Sequence, residues 1–181
     1  NYVTGSHAVK VGMQNMWGTR NFLYSTPGSQ RWTFLNGAPR TITQYARPLE
    51  DLQKLRTALG LYAQDRWTIR NVTLNLGARF DFHNAYVPSQ TTPAIPFLAS
   101  PTSPEFSDVP NWKDIAPRVG AAWDVRGNGK TVARFNFGRY VASESTATAT
   151  ANNPVNTRIN QADRSWTDTN GNFFPDCNLT S

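Results

Sequence analysis

The sequence is poor in the residues from which most metal and redox centres are built. Of its 181 residues, one is cysteine (Cys177) and two are histidine. A single cysteine excludes a metal-thiolate cluster and a redox pair within the chain, so Cys177 is either a free thiol or bonded to a cysteine elsewhere. No apolar run approaches the roughly 20 residues that a membrane-spanning helix requires.

Composition and charge narrow the class of protein further. Hydrophobic residues make up only 39% of the sequence, but 12% are aromatic, which indicates a folded chain. The net charge is +6, yet the arginines stand singly and form no basic run or helix face. Nucleic acid is therefore not expected as a partner. The chain begins at Asn1 without an initiator Met, and we expect it to be a piece of a longer protein.

Apolar and polar residues alternate through most of the chain. Between Val72 and Phe82 the apolar side chains fall on one face of a predicted strand and the polar ones on the other. The run spans about ten residues, which is roughly what a tilted strand needs to cross a bilayer. Leu49 to Leu61 is ambiguous, because its leucines also fit helical spacing. The other predicted strands are 9–14, 30–36, 40–46, 118–125 and 131–141.

Short and long connections alternate between the predicted strands. Short turns are predicted at 69–72 and 126–130, and long loops at about 83–117 and 142–181. The first loop carries seven prolines, which cannot donate to a β-ladder. Short periplasmic turns and long extracellular loops are typical of outer-membrane barrels. We therefore predict an all-β fold, an antiparallel transmembrane β-barrel segment with about seven strands of a larger barrel. A soluble β-sandwich that binds a ligand such as a glycan stays open as the alternative.

Several phrases resemble the barrel of TonB-dependent outer-membrane receptors, in the large type with a carboxypeptidase-regulatory-like N-terminal domain. The similar stretches cover most of 5–141 and keep the family's order and spacing. They are LGLYAQDRWTI at 59–69, LNLGARFD at 74–81, WKDIAPRVGAAWD at 112–124, and GKT at 129–131 followed by GRY at 138–140.

The resemblance implies a role in importing a scarce ligand such as an iron chelate, cobalamin or a glycan. It implies that residues 1–181 are a partial barrel domain, located in the bacterial outer membrane. The implied partners are outer-membrane lipid, the rest of the barrel and its plug, and the TonB complex through parts absent from this chain. Nothing in the 181 residues resembles the plug or the TonB-contacting segment.

Two constellations are candidates for chemistry. Asp81 and His83 share one strand face and offer an acid-histidine pair, but an isolated pair is usually incidental, so no enzymatic activity is expected. Asp168, Asn170, Asn172 and Asp176 place oxygen atoms at alternating positions around Gly171, a spacing that suits calcium. An ordinary Asn-Gly turn explains the same residues. No other cofactor is predicted, and the ligand-binding residues are not identifiable.

One residue departs from the alternation. Asp65 falls on the apolar face, which predicts either a position at headgroup level or a β-bulge. Trp67 suits an interfacial aromatic girdle, as do Trp17 and Tyr140 at the opposite rim.

Overall fold

The computed structural model describes residues 1–94, 99–142 and 144–179. Within these residues β-strands dominate, and no helix is long and apolar enough to cross a membrane. The strands are β1 (Tyr2–Thr4), β2 (His7–Tyr24), β3 (Gln30–Leu35), β4 (Ala38–Tyr45), β5 (Leu49–Ile69), β6 (Val72–Tyr86), β7 (Gln90–Thr91), β8 (Thr102–Ser103), β9 (Asn111–Asp124), β10 (Val132–Gly138) and β11 (Gln161–Ser165). The helices are α1 (Ala147–Ala151) and α2 (Pro154–Thr157).

The chain divides into two compact units, each assembled from three segments that are distant in the sequence. Unit 1 comprises Asn1–Gly18, Leu55–Ala85 and Pro110–Ser145. Unit 2 comprises Thr19–Lys54, Tyr86–Val109 and Thr146–Ser181.

Unit 1 is organised by a six-stranded sheet with the strand order β1-β2-β5-β6-β9-β10. The pairs β1–β2, β6–β9 and β9–β10 are antiparallel. Leu76 of β6 lies opposite Val119 of β9, and Phe137 of β10 lies opposite Val119 on the other side. These three residues therefore share one face and one level. The described residues contain no pairing between the edge strands β1 and β10, so the sheet is open.

The strand register confirms the two faces that the alternation predicts in β6, β9 and β10. Apolar residues meet apolar residues across the strands, as in the pairs of Phe80 with Ile115 and of Phe135 with Ala121. The apolar face is not covered by a second layer of the described residues: Ile115 is 62% exposed and Phe137 is 59% exposed. A large exposed apolar face is the mark of a surface that meets lipid or a partner.

The apolar stretch of β6 is long enough to cross a bilayer. From Val72 to Phe82 there are ten residue steps, which at a rise of about 3.4 Å per step span roughly 34 Å along the strand. The outward apolar band of outer-membrane barrels is about 25 Å high and is crossed by tilted strands of this length.

Short turns connect the hairpins as predicted. Arg70 adopts a positive φ of 54° in the turn between β5 and β6. Between β9 and β10, the carboxylate of Asp124 accepts hydrogen bonds from the backbone amides of Gly127 and Gly129 at 3.0 and 2.7 Å. The Asn36–Gly37 turn between β3 and β4 has φ values of 52° and 80°, which Asn and Gly tolerate best.

Unit 2 packs a three-stranded sheet, in the order β11-β4-β3, into a buried core. Ile42 of β4 lies opposite Trp32 of β3 and Arg164 of β11, and it is fully buried. A second, two-stranded sheet joins β7 to β8. The buried apolar residues of unit 2 include Ile42, Ala46, Leu49, Val87, Ala149, Val155 and Trp166.

The predicted loop 83–117 is shorter in the structure. β6 continues to Tyr86 and β9 begins at Asn111, and residues 95–98 lie outside the described residues. Pro117 sits within β9, opposite Ala78. Its carbonyl oxygen accepts a hydrogen bond from the amide of Arg139, which is one residue beyond the end of β10. The nitrogen of a strand residue faces the same neighbour as its carbonyl oxygen, so the Pro117 nitrogen also faces this position. The missing N–H therefore interrupts no ladder pairing.

Two further predictions are refined. The ambiguous segment Leu49 to Leu61 is part of the strand β5 and is not helical. The predicted loop 142–181, of which residues 143, 180 and 181 lie outside the description, carries α1, α2 and β11. The described residues hold eleven strands, six of them in the larger sheet, instead of about seven.

Candidate functional site

The polar face of unit 1 carries a cleft lined by positive side chains. Its volume is about 430 Å³, and its lining includes Lys10 of β2, Arg66 of β5, Arg79 of β6 and Arg118 of β9. Four strands thus each contribute one cation to one depression. The alternation of the strands places these residues on the face opposite the apolar one.

Two glycines let long side chains lie flat against this wall. A Cβ atom at Gly12 would overlap the ring of Tyr62, and one at Gly60 would overlap the guanidinium of Arg79. The Lys10 ammonium stands 5.8 Å from the centre of the Tyr62 ring. Glycine at these positions therefore lets the ends of the Tyr62 and Arg79 side chains lie directly over the backbone, and a larger residue would displace them.

Asp81 and His83 do not act as a pair in the structure. Asp81 is bound by Arg79, whose Nε donates to its Oδ1 at 2.7 Å and to its Oδ2 at 3.0 Å. The His83 Nε2 atom lies 2.9 Å from the carbonyl oxygen of Ser145. Each side chain is held by a different partner, so the acid does not orient the imidazole. General acid-base catalysis needs that orientation.

Asp65 on the apolar face has a partner that the sequence did not suggest. Its Oδ2 lies 2.6 Å from Nδ1 of His7, and the His7 ring stacks on Trp67 with centroids 5.1 Å apart. The hydrogen bond offsets part of the cost of a carboxylate on this face. Trp67 thus packs against a polar pair, as an interfacial aromatic does.

Tyr140 lies on the polar face and not in a lipid-facing girdle. The Arg118 guanidinium stands 4.7 Å from the centre of its ring, and the ring edge comes within 3.1 Å of a Cβ placed on Gly138. The girdle prediction for Tyr140 is therefore wrong. Trp17 is 72% exposed, as that prediction requires of it.

Unit 2 contains a buried carboxylate that holds distant segments together. Asp51 of β5 is 1% exposed. Its Oδ1 accepts hydrogen bonds from the amides of Asn153 at 2.7 Å, Asn156 at 3.0 Å and Gln53. Its Oδ2 accepts one from Nη1 of Arg20 at 3.2 Å. The network joins β2, β5 and α2 within unit 2.

Gln90 extends this network to the loop that follows β6. Its side-chain amide donates to the Leu52 carbonyl and accepts from the Leu52 amide, both at 3.0 Å. The Gln90 side chain thereby makes the same pair of hydrogen bonds to the β5 backbone that a residue of a neighbouring strand would make. The Oδ1 atom of Asn153 accepts from the Val155 amide at 3.1 Å and caps α2. Sequence reasoning missed these residues, because no motif marks them.

Five aromatic side chains fasten the last loop of unit 2 to β3. Trp166 packs edge-on against Trp32 and Phe34, with centroid separations of 5.1 and 5.4 Å. Phe174 contacts Trp32 at 6.2 Å, and Phe173 contacts Phe34 at 6.1 Å. Trp166 is buried, whereas Phe173 and Phe174 are more than 60% exposed. The loop therefore presents two phenylalanines on a packed base.

The four predicted calcium ligands lie in one tight loop, where backbone amides use their oxygens. Asp168 accepts from the amides of Asn172 at 3.0 Å and of Phe173 at 2.9 Å. Among the described residues, no group of three or more His, Cys, Asp or Glu side chains is placed to hold a metal. Calcium binding by Asp168, Asn170, Asn172 and Asp176 stays a prediction. Cys177, just beyond them, is free and exposed.

Replacing Asp176 with asparagine is expected to loosen this loop. The Asp176 carboxylate accepts from the Thr169 hydroxyl at 2.5 Å and from its amide at 2.7 Å, and these bonds lower the pKa of Asp176 below its usual 3.8. A lowered pKa means that the carboxylate stabilises the loop above pH 3.8 and ceases to do so as the pH falls through the lowered value. Hydrogen exchange of the Thr169 amide at neutral pH should accelerate in Asp176→Asn. An unchanged rate, with and without calcium, would contradict both roles of this residue.

Comparison with known proteins agrees with the geometry. No curated protein and no solved structure matches the chain. One family model, described as an outer membrane beta barrel domain, matches residues 1–180. An exposed apolar face, backed by a polar face, is what such a domain requires. The chain therefore belongs to the outer-membrane β-barrel domain family and resides in the bacterial outer membrane.

Proposed function

We propose that the chain forms part of the barrel wall of a TonB-dependent receptor that imports a scarce ligand, such as an iron chelate, cobalamin or a glycan. The observation that carries the proposal is the agreement of the TonB-receptor-like phrases with the strands. The phrase LGLYAQDRWTI lies in β5, LNLGARFD in β6 and WKDIAPRVGAAWD in β9. A resemblance whose parts fall on successive strands of one sheet is more specific than any phrase alone.

The connections support the same proposal. Two-residue turns at Gly5–Ser6 and Arg70–Asn71, and the short turn after β9, alternate with long connections after β2, β6 and β10. The long connections of unit 2 are folded and packed, with α1, α2 and the five strands β3, β4, β7, β8 and β11 around a core. Folded loops of this kind are better suited to a receptor that captures a ligand outside the cell than to a passive pore.

Within this proposal residues 1–181 are a partial barrel domain. Its partners are outer-membrane lipid along the apolar face, the remaining strands along the edges β1 and β10, and a plug in the lumen. The TonB complex acts through segments outside these 181 residues. The chain itself performs no enzymatic reaction, and nucleic acid is not a partner.

The soluble sandwich is disfavoured by the apolar face. In a sandwich, inner faces pack about 10 Å apart and exclude water. In unit 1 the residues of that face remain open, with Phe135 61% exposed and Val119 39% exposed. The match to an outer-membrane family points the same way.

Deletion of the gene is expected to abolish uptake of one ligand class, and deletion of the TonB complex should abolish the same uptake. The physical reason is that a plugged barrel needs energy from the inner membrane to release its ligand. Uptake of labelled iron chelates, cobalamin and oligosaccharides by the parent, each deletion strain and a complemented strain measures this. Uptake that requires the gene but survives loss of TonB would contradict the proposal and indicate a diffusion channel.

A further inference from the structure

The positive cleft on the polar face of unit 1 has more cations than its carboxylates balance. Lys10, Arg66, Arg79 and Arg118 line it. Arg79 is neutralised by Asp81 at 2.7 Å. Asp65 is the carboxylate residue within the lining, and its side chain is bound by His7 at 2.6 Å. A net positive charge therefore remains.

Two arginines of the cleft are without a carboxylate partner. Among the described residues, neither Arg66 nor Arg118 makes an ion pair, and both are exposed. Arg118 instead faces the ring of Tyr140 at 4.7 Å. On the same face, Asp114 is occupied by Arg139, whose Nη2 lies 2.5 Å from its Oδ1. The guanidinium donors of Arg66 and Arg118 are thus available to a ligand.

The remaining lining suits hydrogen bonding to a small solute. Tyr62, Gln64 and Asn75 add neutral polar groups between the cations. A volume of about 430 Å³ falls in the range of small-molecule sites, about 300–1,000 Å³. Guanidinium groups bind carboxylate and phosphate oxygens in pairs, which fixes both position and orientation.

We infer that this cleft binds the oxyanion group, carboxylate or phosphate, of a small solute in the barrel lumen. A recess with one sign of charge concentrates counter-ions from the surrounding water. The four cations come from four strands of one sheet, so the backbone holds their Cα atoms at fixed positions before the ligand arrives. The inference rests on the polar face being the lumen face, and it does not depend on TonB-driven import.

Isothermal titration of the intact protein in detergent micelles with inorganic pyrophosphate tests the site. Wild type should bind, with an affinity that falls as salt rises. Arg66→Gln and Arg118→Gln should each weaken binding about tenfold or more, because each removes a charge-assisted hydrogen bond. Arg126→Gln, in the turn between β9 and β10, is the matched control and should bind as wild type does. Resistance of each folded barrel to unfolding by detergent on a gel shows that the variants fold.

Two results would overturn the inference. One is pyrophosphate binding that is absent, or equal in wild type and in both cleft variants. The other is zero-length carbodiimide cross-linking of Lys10 to an acidic residue of the same protein, with no binding of pyrophosphate, because the cleft would then be filled by the protein itself. Both results can occur whether or not uptake depends on TonB, so this test is independent of the proposed function.

Discussion

Replacing Asp51 with alanine should release α1 and α2 from the rest of unit 2. The carboxylate is 1% exposed and is the common acceptor for Arg20, Asn153 and Asn156. Removing it leaves the Asn153 amide without its acceptor, whereas Arg20 keeps its hydrogen bond to Gln53 and Asn156 keeps one to the Thr150 carbonyl. The loss of a buried acceptor costs about 1–3 kcal/mol. A local loss of that size speeds amide hydrogen exchange by about 5- to 150-fold. Exchange of residues 146–157, followed by mass spectrometry in micelles, measures it.

Glu50→Ala is the matched control for this prediction. Glu50 is the neighbour of Asp51 on β5, but it is exposed and accepts a single hydrogen bond, from Asn21 at 2.6 Å. Its loss should leave exchange in 146–157 unchanged. Asp51→Asn keeps one oxygen acceptor and should fall between the two. Equal exchange in Asp51→Ala and Glu50→Ala would show that the network does not hold the helices.

Replacing Phe137 with arginine should destabilise the folded barrel by about 2–4 kcal/mol, the cost of a cation at the middle of the lipid-facing band. Phe137 lies level with Val119 and Leu76, near the middle of the apolar stretch from Val72 to Phe82. Its side chain is 59% exposed on that face. Urea titration of the intact protein in lipid vesicles, read by tryptophan fluorescence, gives the free energy of unfolding.

Asn136→Arg supplies the control, because the residue is adjacent in β10 and faces the other way. Asn136 lies opposite Gly120, on the face that carries Arg118 and Arg134. Arginine there meets water, so the expected loss of stability is below about 1 kcal/mol. A similar loss in both variants would mean that the two faces are not lipid and lumen.

The faces of unit 1 could be predicted from the sequence because most of its strand residues alternate between apolar and polar. The register of β6, β9 and β10 pairs most apolar residues with one another, whereas Phe82 lies opposite Lys113. The short hairpin turns could also be predicted, since the glycines after Asp124 carry the positive φ values that such turns require. Alternation and turn residues were sufficient to predict the strands of unit 1, because each face of the sheet has a single kind of surroundings along its length.

Unit 2 was harder to predict because several of its buried positions are polar. Along the start of β5, Leu49, Asp51, Gln53 and Leu55 are buried in alternation, but two of the four are hydrophilic. The pattern of burial is that of a strand, while the pattern of hydropathy is not, so the sequence left the segment ambiguous between strand and helix. The burial of Asp51 is made favourable by partners that are distant in the sequence, which are Arg20, Asn153 and Asn156.

Proline misled the interpretation in a similar way. The seven prolines of 83–117 suggested an unbroken loop, yet Pro117 sits inside β9. Whether a proline is tolerated depends on what its nitrogen faces, and that is decided by where the neighbouring strand ends. The end of β10 is a property of the pairing and cannot be read from the local sequence.

Two glycines of the polar face affect how far neighbouring side chains extend into the interior of the barrel. Because Tyr62 lies over Gly12 and Arg79 lies over Gly60, these long side chains add thickness only where the backbone beneath them leaves room. Where large side chains lie along the wall, they leave the interior open, whereas side chains that project from the wall would occupy it. A methyl group at Gly12 or Gly60 would push the side chain of Tyr62 or Arg79 away from the wall and toward the interior.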